Sequence, residues 1–376
     1  MTYNIVCIGE PLAEISRGAT DLAVAFGGDT LNTAIYCARS IQDCDIAVHY
    51  VTAIGVDTLS DAALELMTSE GIHTNHISRD PHRQIGIYAI QNDENGERDF
   101  HYWRDNSAAR TMFTTDTSPH LSAIEMADMV YLSGITLAIL TQDARDSLWS
   151  ALAALRASGL KVAFDSNYRS KLWDVTTTAR REIARFWEIT DIALPSYEDE
   201  ADLFGDKSTL GIVSRIVAAG AQSGALKCGN AGPVLIPLSD DIEYFAKADS
   251  VVDTTGAGDS FNGAYLAAIA ADKTQTEAAI EAHALAAHVV THQGAILPRM
   301  AAPEAIRMGS VIRLRPEHLE EYKRLHADVW PGVLSRLKAS HFTNYSIYLK
   351  KTEFLMFGYF EYTGSDFEAD NAAIAA

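Results

Sequence analysis

The stretch Val251-Val-Asp-Thr-Thr-Gly-Ala-Gly-Asp-Ser-Phe-Asn-Gly263 decides how this chain is read. A Gly-Ala-Gly turn leads into Asp259 and then into an alanine-rich run, Ser260–Ala270, that reads as a helix. Glycines let a backbone approach a ligand closely, and the first amides of a helix have no partner within it. Together with the helix dipole they make an anion site suited to a phosphoryl group gathering charge. A carboxylate at the same place can accept the proton of an attacking hydroxyl. The glycines do not match GxxxxGK[ST], so this is not a P-loop, and they fail GxGxxG, which disfavours a dinucleotide site. A Gly-rich turn before an acid is also an ordinary helix entry. The specificity lies in the whole run DTTGAGDSF, late in an alternating chain.

Upstream of this motif, apolar runs of strand length alternate with helical stretches. Asn4–Ile8 is a strand that stops at Gly9, and Leu31–Ala38 continues a helix opened after Gly27-Gly28. The strand Ala47–Ile54, the helix Ser60–Ser69, the strand Met129–Leu132, the helix Asp143–Ala157 and the strand Lys161–Asp165 follow. Ile192–Pro195 and Gly224–Lys227 continue the rhythm. The pattern predicts an α/β fold, a mostly parallel sheet with helices on both faces. Ile85–Gln91 and Glu97–Arg104 flank the polar turn Asn92-Asp-Glu-Asn-Gly96, a β-hairpin signal. Its second strand puts Arg98, Phe100, Tyr102 and Arg104 on one face. This hairpin, about residues 84–105, is either a lid or a simple excursion of the sheet edge, and pattern alone leaves both open.

The chain has 376 residues, 30 Lys+Arg and 50 Asp+Glu, for a formal charge of −20. With 48% hydrophobic and 21% charged residues it can bury a core and is not disordered. The length suggests two domains, or one large α/β domain with an appendage. So acidic a surface repels phosphate backbones and anionic lipid, so no nucleic-acid or membrane partner is expected. An anionic substrate would need its own Arg and Lys. Cys7, Cys37, Cys44 and Cys228 show no CxxC or metal-ligand spacing and read as reduced, buried residues of a cytoplasmic protein. The opening MTYNIVCIGE has no signal-peptide character, and the longest apolar run, Val130–Leu140, is interrupted by Ser133, Gly134 and Thr136.

DTTGAGDSFNG resembles the C-terminal signature of PfkB-type, ribokinase-like carbohydrate kinases. Phe26-Gly-Gly-Asp-Thr-Leu-Asn-Thr33 is similar to that family's Gly-Gly element near the sugar. The form GGDTLNTA, with Tyr102-Trp-Arg104, Asp165-Ser-Asn-Tyr-Arg169 and Gly294-Ala-Ile-Leu-Pro298, is most similar to 2-keto-3-deoxygluconate kinases, over about residues 1–303. The resemblance implies a ribokinase-like sheet with a small β lid and phosphorylation of a sugar's terminal hydroxyl by ATP with Mg2+. By it, Asp259 is the general base and Gly256, Ala257 and Gly258 form the anion hole. Gly28, Asp29 and Asn32 contact the sugar, with Tyr88, Tyr102 and Arg104 from the hairpin. Arg169 meets the carboxylate end. Asn167, Lys227, Gly229, Gly256 and Gly258 contact ATP, and Glu200 is the metal candidate. Guanidinium groups pair bidentately with carboxylates, so Arg104 and Arg169 favour an acid sugar over a neutral one. Taken singly, each Arg also reads as a surface ion pair, and Tyr88 and Tyr102 as packing. Two positions depart from the family pattern: Tyr197 stands where Asn is usual before Glu200, and Cys228 where a basic residue is usual.

RMAAPEAIRMGS reads as a linker, with 304–307 at its centre, and residues 308–376 as a new unit. The strand Gly309–Leu314, a helix from Pro316 to about Trp330, the strands Asn344–Leu349 and Phe354–Tyr362 and a helix over Asp366–Ala376 give a partial ferredoxin-like α+β order. Glu321-Tyr-Lys-Arg-Leu-His326, Val329-Trp-Pro331 and Asn344-Tyr-Ser-Ile-Tyr-Leu349 resemble the first two-thirds of L-rhamnose mutarotase. That resemblance makes His326 the catalytic acid and Tyr322 and Tyr345 sugar contacts. Tyr322 and His326, four apart on a helix, share a face. The plainer reading, core or rim residues of a half-domain with an open sheet edge, is preferred. The expected activity is ATP-dependent conversion of 2-keto-3-deoxygluconate to its 6-phosphate. Alternatives are a kinase of a neutral ketose such as fructose, a bifunctional kinase and mutarotase, and a catalytically dead sugar-binding protein. Assembly into a homo-oligomer is left open.

Overall fold

Val6, Ile8, Val130, Leu132, Val162 and Phe164 alternate along their strands with Ile5, Cys7, Met129, Tyr131 and Ala163, and all are fully buried. A strand covered on both faces must be apolar at every position, so these runs show no polar alternation. The computed structural model describes residues 2–17, 21–41, 45–92, 98–114, 119–239, 245, 247–299, 306–327, 333, 336–337, 340–364 and 367–375. The chain divides into two units, Met1–Leu297 and Pro298–Ala376.

The strands of the first unit are β1 (Tyr3–Ile8), β2 (Leu12–Arg17), β3 (Leu22–Gly27), β4 (Ile46–Gly55), β5 (Ile77–Asp80), β6 (Gly86–Asn92), β7 (Arg98–Trp103), β8 (Met129–Ser133), β9 (Lys161–Asp165), β10 (Ile192–Ala193), β11 (Ser223–Leu226) and β12 (Val234–Leu235). Eight form one sheet in the order β12-β11-β10-β9-β8-β1-β4-β5, parallel throughout except for β12. The order reverses between β1 and β8, and such a switch point leaves a crevice at the carboxyl ends of the strands.

The hairpin is half of a second sheet, β3-β2-β6-β7. β6 and β7 pair antiparallel with Tyr88 opposite Tyr102, and β2 joins β6 in parallel. Its other half, the β2–β3 hairpin, carries no clear sequence signal, because β3 is an edge strand whose Leu22 and Val24 face solvent. Apolar periodicity reports burial, and here there is little to report.

Two helices fix the position of the motif. The helix Asp29–Ser40 packs on the helix Ala257–Ala270, whose residues Ser260–Ala268 are all buried. They meet at Gly263. A Cβ there would lie 2.6 Å from Thr33 O and 2.7 Å from Cys37 N, so only glycine allows this approach.

The second unit holds β13 (Ile306–Arg313), β14 (Phe342–Lys350) and β15 (Leu355–Tyr362), antiparallel in the order β13-β15-β14, with helices Leu319–Ala327 and Phe367–Ala375. β13 begins at Ile306, inside the segment expected as a linker. Val329-Trp-Pro331 and the side chain of His326 lie outside the described residues. Among the described residues no helix is long and apolar enough to cross a membrane.

Candidate active site

The carboxyl ends of four parallel strands deliver polar side chains to the crevice. Glu10 follows β1, Ser133 ends β8, Asp165 ends β9 and Lys227 follows β11. Opposite them stands the start of the helix Ala257–Ala270. Gly256 caps it with φ of 78°, and a Cβ there would come within 2.5 Å of Ala295 O. The first helical bond runs from Ser260 N to Gly256 O at 2.8 Å. The Ala257 amide is turned to Thr254 O at 3.2 Å, so this expected donor of the anion hole is engaged in the loop. Helix geometry leaves the amides of Gly258 and Asp259 without backbone acceptors.

Asp259 sits in that first turn and is half-buried. Asn32 Nδ2 donates to its Oδ2 at 2.8 Å, across the junction that Gly263 permits. Burial, then the neighbouring charges of Asp29 and Asp165, push its carboxyl up from 3.8 to about 7, against the pull of Asn32 and Lys227. A carboxylate with that affinity accepts a proton far better than an ordinary one. The other amide atom of Asn32, Oδ1, is buried without a hydrogen-bond partner.

Behind Asp259 runs a continuous polar network. Lys227 Nζ donates to Asp165 Oδ2 at 2.6 Å and to Asn262 Oδ1 at 2.9 Å. Asn262 Nδ2 donates to Asp165 Oδ2 at 2.7 Å. The Asn167 amide donates to Asp165 Oδ1 at 3.1 Å, and its Nδ2 donates to Asp29 Oδ2 at 2.9 Å. Asn167 does this with φ of 28°, a strained value for a residue with a Cβ. Ser133 Oγ also donates to Asp29 Oδ2.

A cleft of about 430 Å³ opens over these groups, lined by Asp29, Asp165, Asn167, Arg169, Lys227 and Asp259 among others. A second pocket of about 350 Å³ shares Lys227, Thr254 and Gly258 with it and is walled by Cys228, Gly229, Phe261, Ala286 and Val290. Its largely apolar walls fit a flat aromatic base, and the shared edge at the helix start fits phosphates.

The structure thus brings Asp29, Asn167, Lys227, Arg169, Gly256, Gly258 and Asp259 together and puts Gly229 in the adjoining pocket. Gly28 lies beside Glu10, where a Cβ would meet Glu10 O at 2.4 Å. Tyr88 donates to Glu14 Oε2, and its ring lies 5.8 Å from that of Tyr102. Burial and Glu14 push the Tyr88 hydroxyl up, with smaller contributions from Tyr102 and Asp259. Arg104 is buried and paired with Glu10, and Arg169 Nη1 donates to Asp199 Oδ1 at 3.1 Å. Both guanidinium groups therefore already hold a carboxylate of the chain.

Glu200 does not line the cleft. It is fully buried and accepts from Arg215 Nη2 at 2.6 Å, while Glu198 and Asp199 line the cleft in its place. A helix start turns successive acids to different sides, and the third of the run points inward. Among the described residues no cluster of three ligating side chains could hold a metal by itself. Glu198 and Asp199 are carboxylates of the kind Mg2+ takes one or two of, its other ligands being waters and phosphate oxygens. Glu10, Glu198, Asp199 and Asn262 were not foreseen; their position just past strand ends or at a helix start was the available signal. In the second unit Tyr345 is half-exposed, stacks on Phe360 at 5.6 Å and lies within electrostatic reach of Tyr322.

Residues 3–302 match the model for the pfkB family of carbohydrate kinases, and residues 307–376 match that for L-rhamnose mutarotase. The 2-dehydro-3-deoxygluconokinase of Escherichia coli is 37% identical over 310 residues, covering 81% of this chain and 100% of the relative. That of Dickeya dadantii is 38% identical over 308 residues, with coverages of 80% and 99%. Among solved structures, a 2-dehydro-3-deoxygluconokinase from Thermotoga maritima superimposes with a TM-score of 0.64 at 22% identity, over 78% of this chain and 96% of that one. A putative ribokinase II from E. coli, solved with ATP and magnesium, gives 0.67 at 21%, over 78% and 94%. The fold is ribokinase-like, the C-terminal segment is a rhamnose mutarotase domain by its match, and the chain belongs to the pfkB family of carbohydrate kinases.

Proposed function

We propose that this sugar kinase transfers the terminal phosphoryl group of ATP to the 6-hydroxyl of 2-keto-3-deoxygluconate, which is 2-dehydro-3-deoxygluconate under its other name. The observation that carries the reading is the Asp259 carboxylate, held by Asn32 at a helix start and raised to about 7 beside a nucleotide-sized pocket. Asp259 takes the proton of the attacking hydroxyl. The amides of Gly258 and Asp259 and the Lys227 ammonium offset charge building on the transferred group. Asp199 and Glu198, which line the cleft, would hold a Mg2+ ion brought with the nucleotide, and that ion would neutralise phosphate charge. Tyr88 and Tyr102 of the lid sheet, with Asn32 and Gly28, bind the sugar and exclude water. Arg169 and Arg104 receive the substrate carboxylate, each releasing Asp199 or Glu10 to do so. Identity near 37% to kinases named for this substrate over their whole length supports the choice of acid sugar.

One observation favours a second reading: Arg104 is already neutralised by Glu10 in the buried lid root, which suits a neutral ketose. ADP release over a panel of 2-keto-3-deoxygluconate, fructose and ribose separates them. The acid-sugar reading expects the keto acid to be preferred at least a hundredfold in kcat/KM, and Arg104→Ala to reduce turnover of that substrate alone. Equal use of fructose overturns the substrate assignment, and near-full turnover by Asp259→Asn overturns the base assignment.

A further inference from the structure

Lys227 reaches the cleft with two of its three ammonium donors engaged. One goes to Asp165 Oδ2 at 2.6 Å and one to Asn262 Oδ1 at 2.9 Å. Asn262 Nδ2 donates in turn to the same Asp165 Oδ2 at 2.7 Å and to the Tyr131 hydroxyl at 3.0 Å. Lys227, Asp165 and Asn262 thus close a triangle of hydrogen bonds, with Asn262 and Asp165 buried. The triangle fixes which way the Asn262 amide faces, because turning it over would set its NH2 group against the ammonium. Among the described residues Lys227 Nζ makes no other hydrogen bond, and Asp29, Glu198, Asp199 and Asp259, the remaining carboxylates of the cleft, do not bond it. A Cβ on Gly258 would lie 3.8 Å from Nζ, so the ammonium stands beside the helix start. Lys227 lines both the cleft and the nucleotide-sized pocket.

We propose that Asn262 is a positioning residue for Lys227, holding the ammonium so that its remaining donor meets the phosphoryl group passing between the two pockets. This rests on the charge-offsetting role of Lys227 in the kinase reading. Two hydrogen bonds and the bond to Cε occupy three corners of the nitrogen's tetrahedron, so the last donor points away from the triangle. With Asp165 alone, a long side chain could pivot about a single anchor. Asn262 supplies the second anchor, and as a neutral acceptor it does so without cancelling the charge. It lies three residues beyond Asp259 on the same helix, so one helix start carries both the base and the brace for the cation.

The test uses the full chain with 15N-labelled lysine, first without ligands. An ammonium held by two sheltered bonds gives a sharp 1H–15N signal, and that of Lys227 is the one missing from Lys227→Met. In Asn262→Leu its exchange with water should quicken by about tenfold or more. With ATP and 2-keto-3-deoxygluconate, Asn262→Leu should lower kcat by about tenfold to a hundredfold and leave both KM values within about twofold. In the Lys227→Met background the same change should alter kcat by less than about twofold, because the group it acts through is gone. An unmoved Lys227 signal overturns the proposal. So does an equal loss of kcat with and without Lys227, the mark of a merely structural residue. If Asn262→Leu does not fold, Asn262→Asp keeps the size and the acceptor oxygen but sets a second carboxylate on the ammonium. It must lower kcat by about tenfold or more in the protein with Lys227 and not in Lys227→Met, and full activity there is equally fatal. Failure of the kinase reading of Lys227 is seen separately, as full turnover in Lys227→Met while the ammonium signal still depends on Asn262.

Discussion

Replacing Asp259 with Asn should remove catalysis and make the protein more stable. In the native state the carboxyl is raised from 3.8 to about 7, so between those values the folded chain holds a proton that the unfolded chain has lost. Wild-type stability therefore declines as pH rises through this window and levels off above it. For a site sealed from water the elevation corresponds to about 4 kcal/mol. The cleft is open and Asp259 half-buried, so solvent screening reduces the expected gain to about 1–2 kcal/mol. Asn keeps the shape and the oxygen that accepts from Asn32, yet carries no charge next to Asp29 and Asp165. Thermal unfolding of the two proteins at pH 4.5 and pH 8 reads this directly. The variant should melt about 2–6 °C above wild type at pH 8, with little difference at pH 4.5. A variant that melts lower at pH 8, or one whose advantage is the same at both values, refutes the electrostatic account of the base.

Gly263→Ala forces a methyl group against Thr33 O and Cys37 N, and should cost about 1–3 kcal/mol in urea unfolding. Because the same contact holds Asn32 on Asp259, kcat should fall by tenfold or more in whatever fraction stays folded. His49 is held near 4 by burial and by His73 and His76 beside it, with rings 4.6 and 5.8 Å away. Stability should fall as pH drops from about 6.5 toward 4, by up to about 3 kcal/mol, and His49→Gln should flatten that slope in melts across the range.

The β-α alternation was legible because both-face burial leaves an uninterrupted apolar run, and Lys161–Asp165 was bounded to the residue. The β2–β3 hairpin was not, since its exposed apolar residues break the link between pattern and burial. Asp259 could be read from its glycines, whose backbone demands are local. The occupation of Arg104 by Glu10 could not, because it joins residues 94 positions apart that no spacing rule connects. Glu200 was misplaced for a related reason: in Glu198-Asp-Glu200 the choice of which acid turns inward depends on Arg215, a partner from the following helix. Ala257 was assigned as a donor from its place in the motif, but Thr254 O takes its amide through the closure of the loop.

The hydrogen bond from Asn32 to Asp259 closes a span of 227 residues. During synthesis Asn32 emerges early, while Asp259 appears only with the last two helices described in the first unit, Ala257–Ala270 and Gln275–Val289. Contacts of such high order form late and slowly. A nascent or clipped chain stopping before those helices would hold much of the sheet without Asp259 or the Gly256–Gly258 turn, so the two walls of the cleft meet only when the first unit is nearly whole.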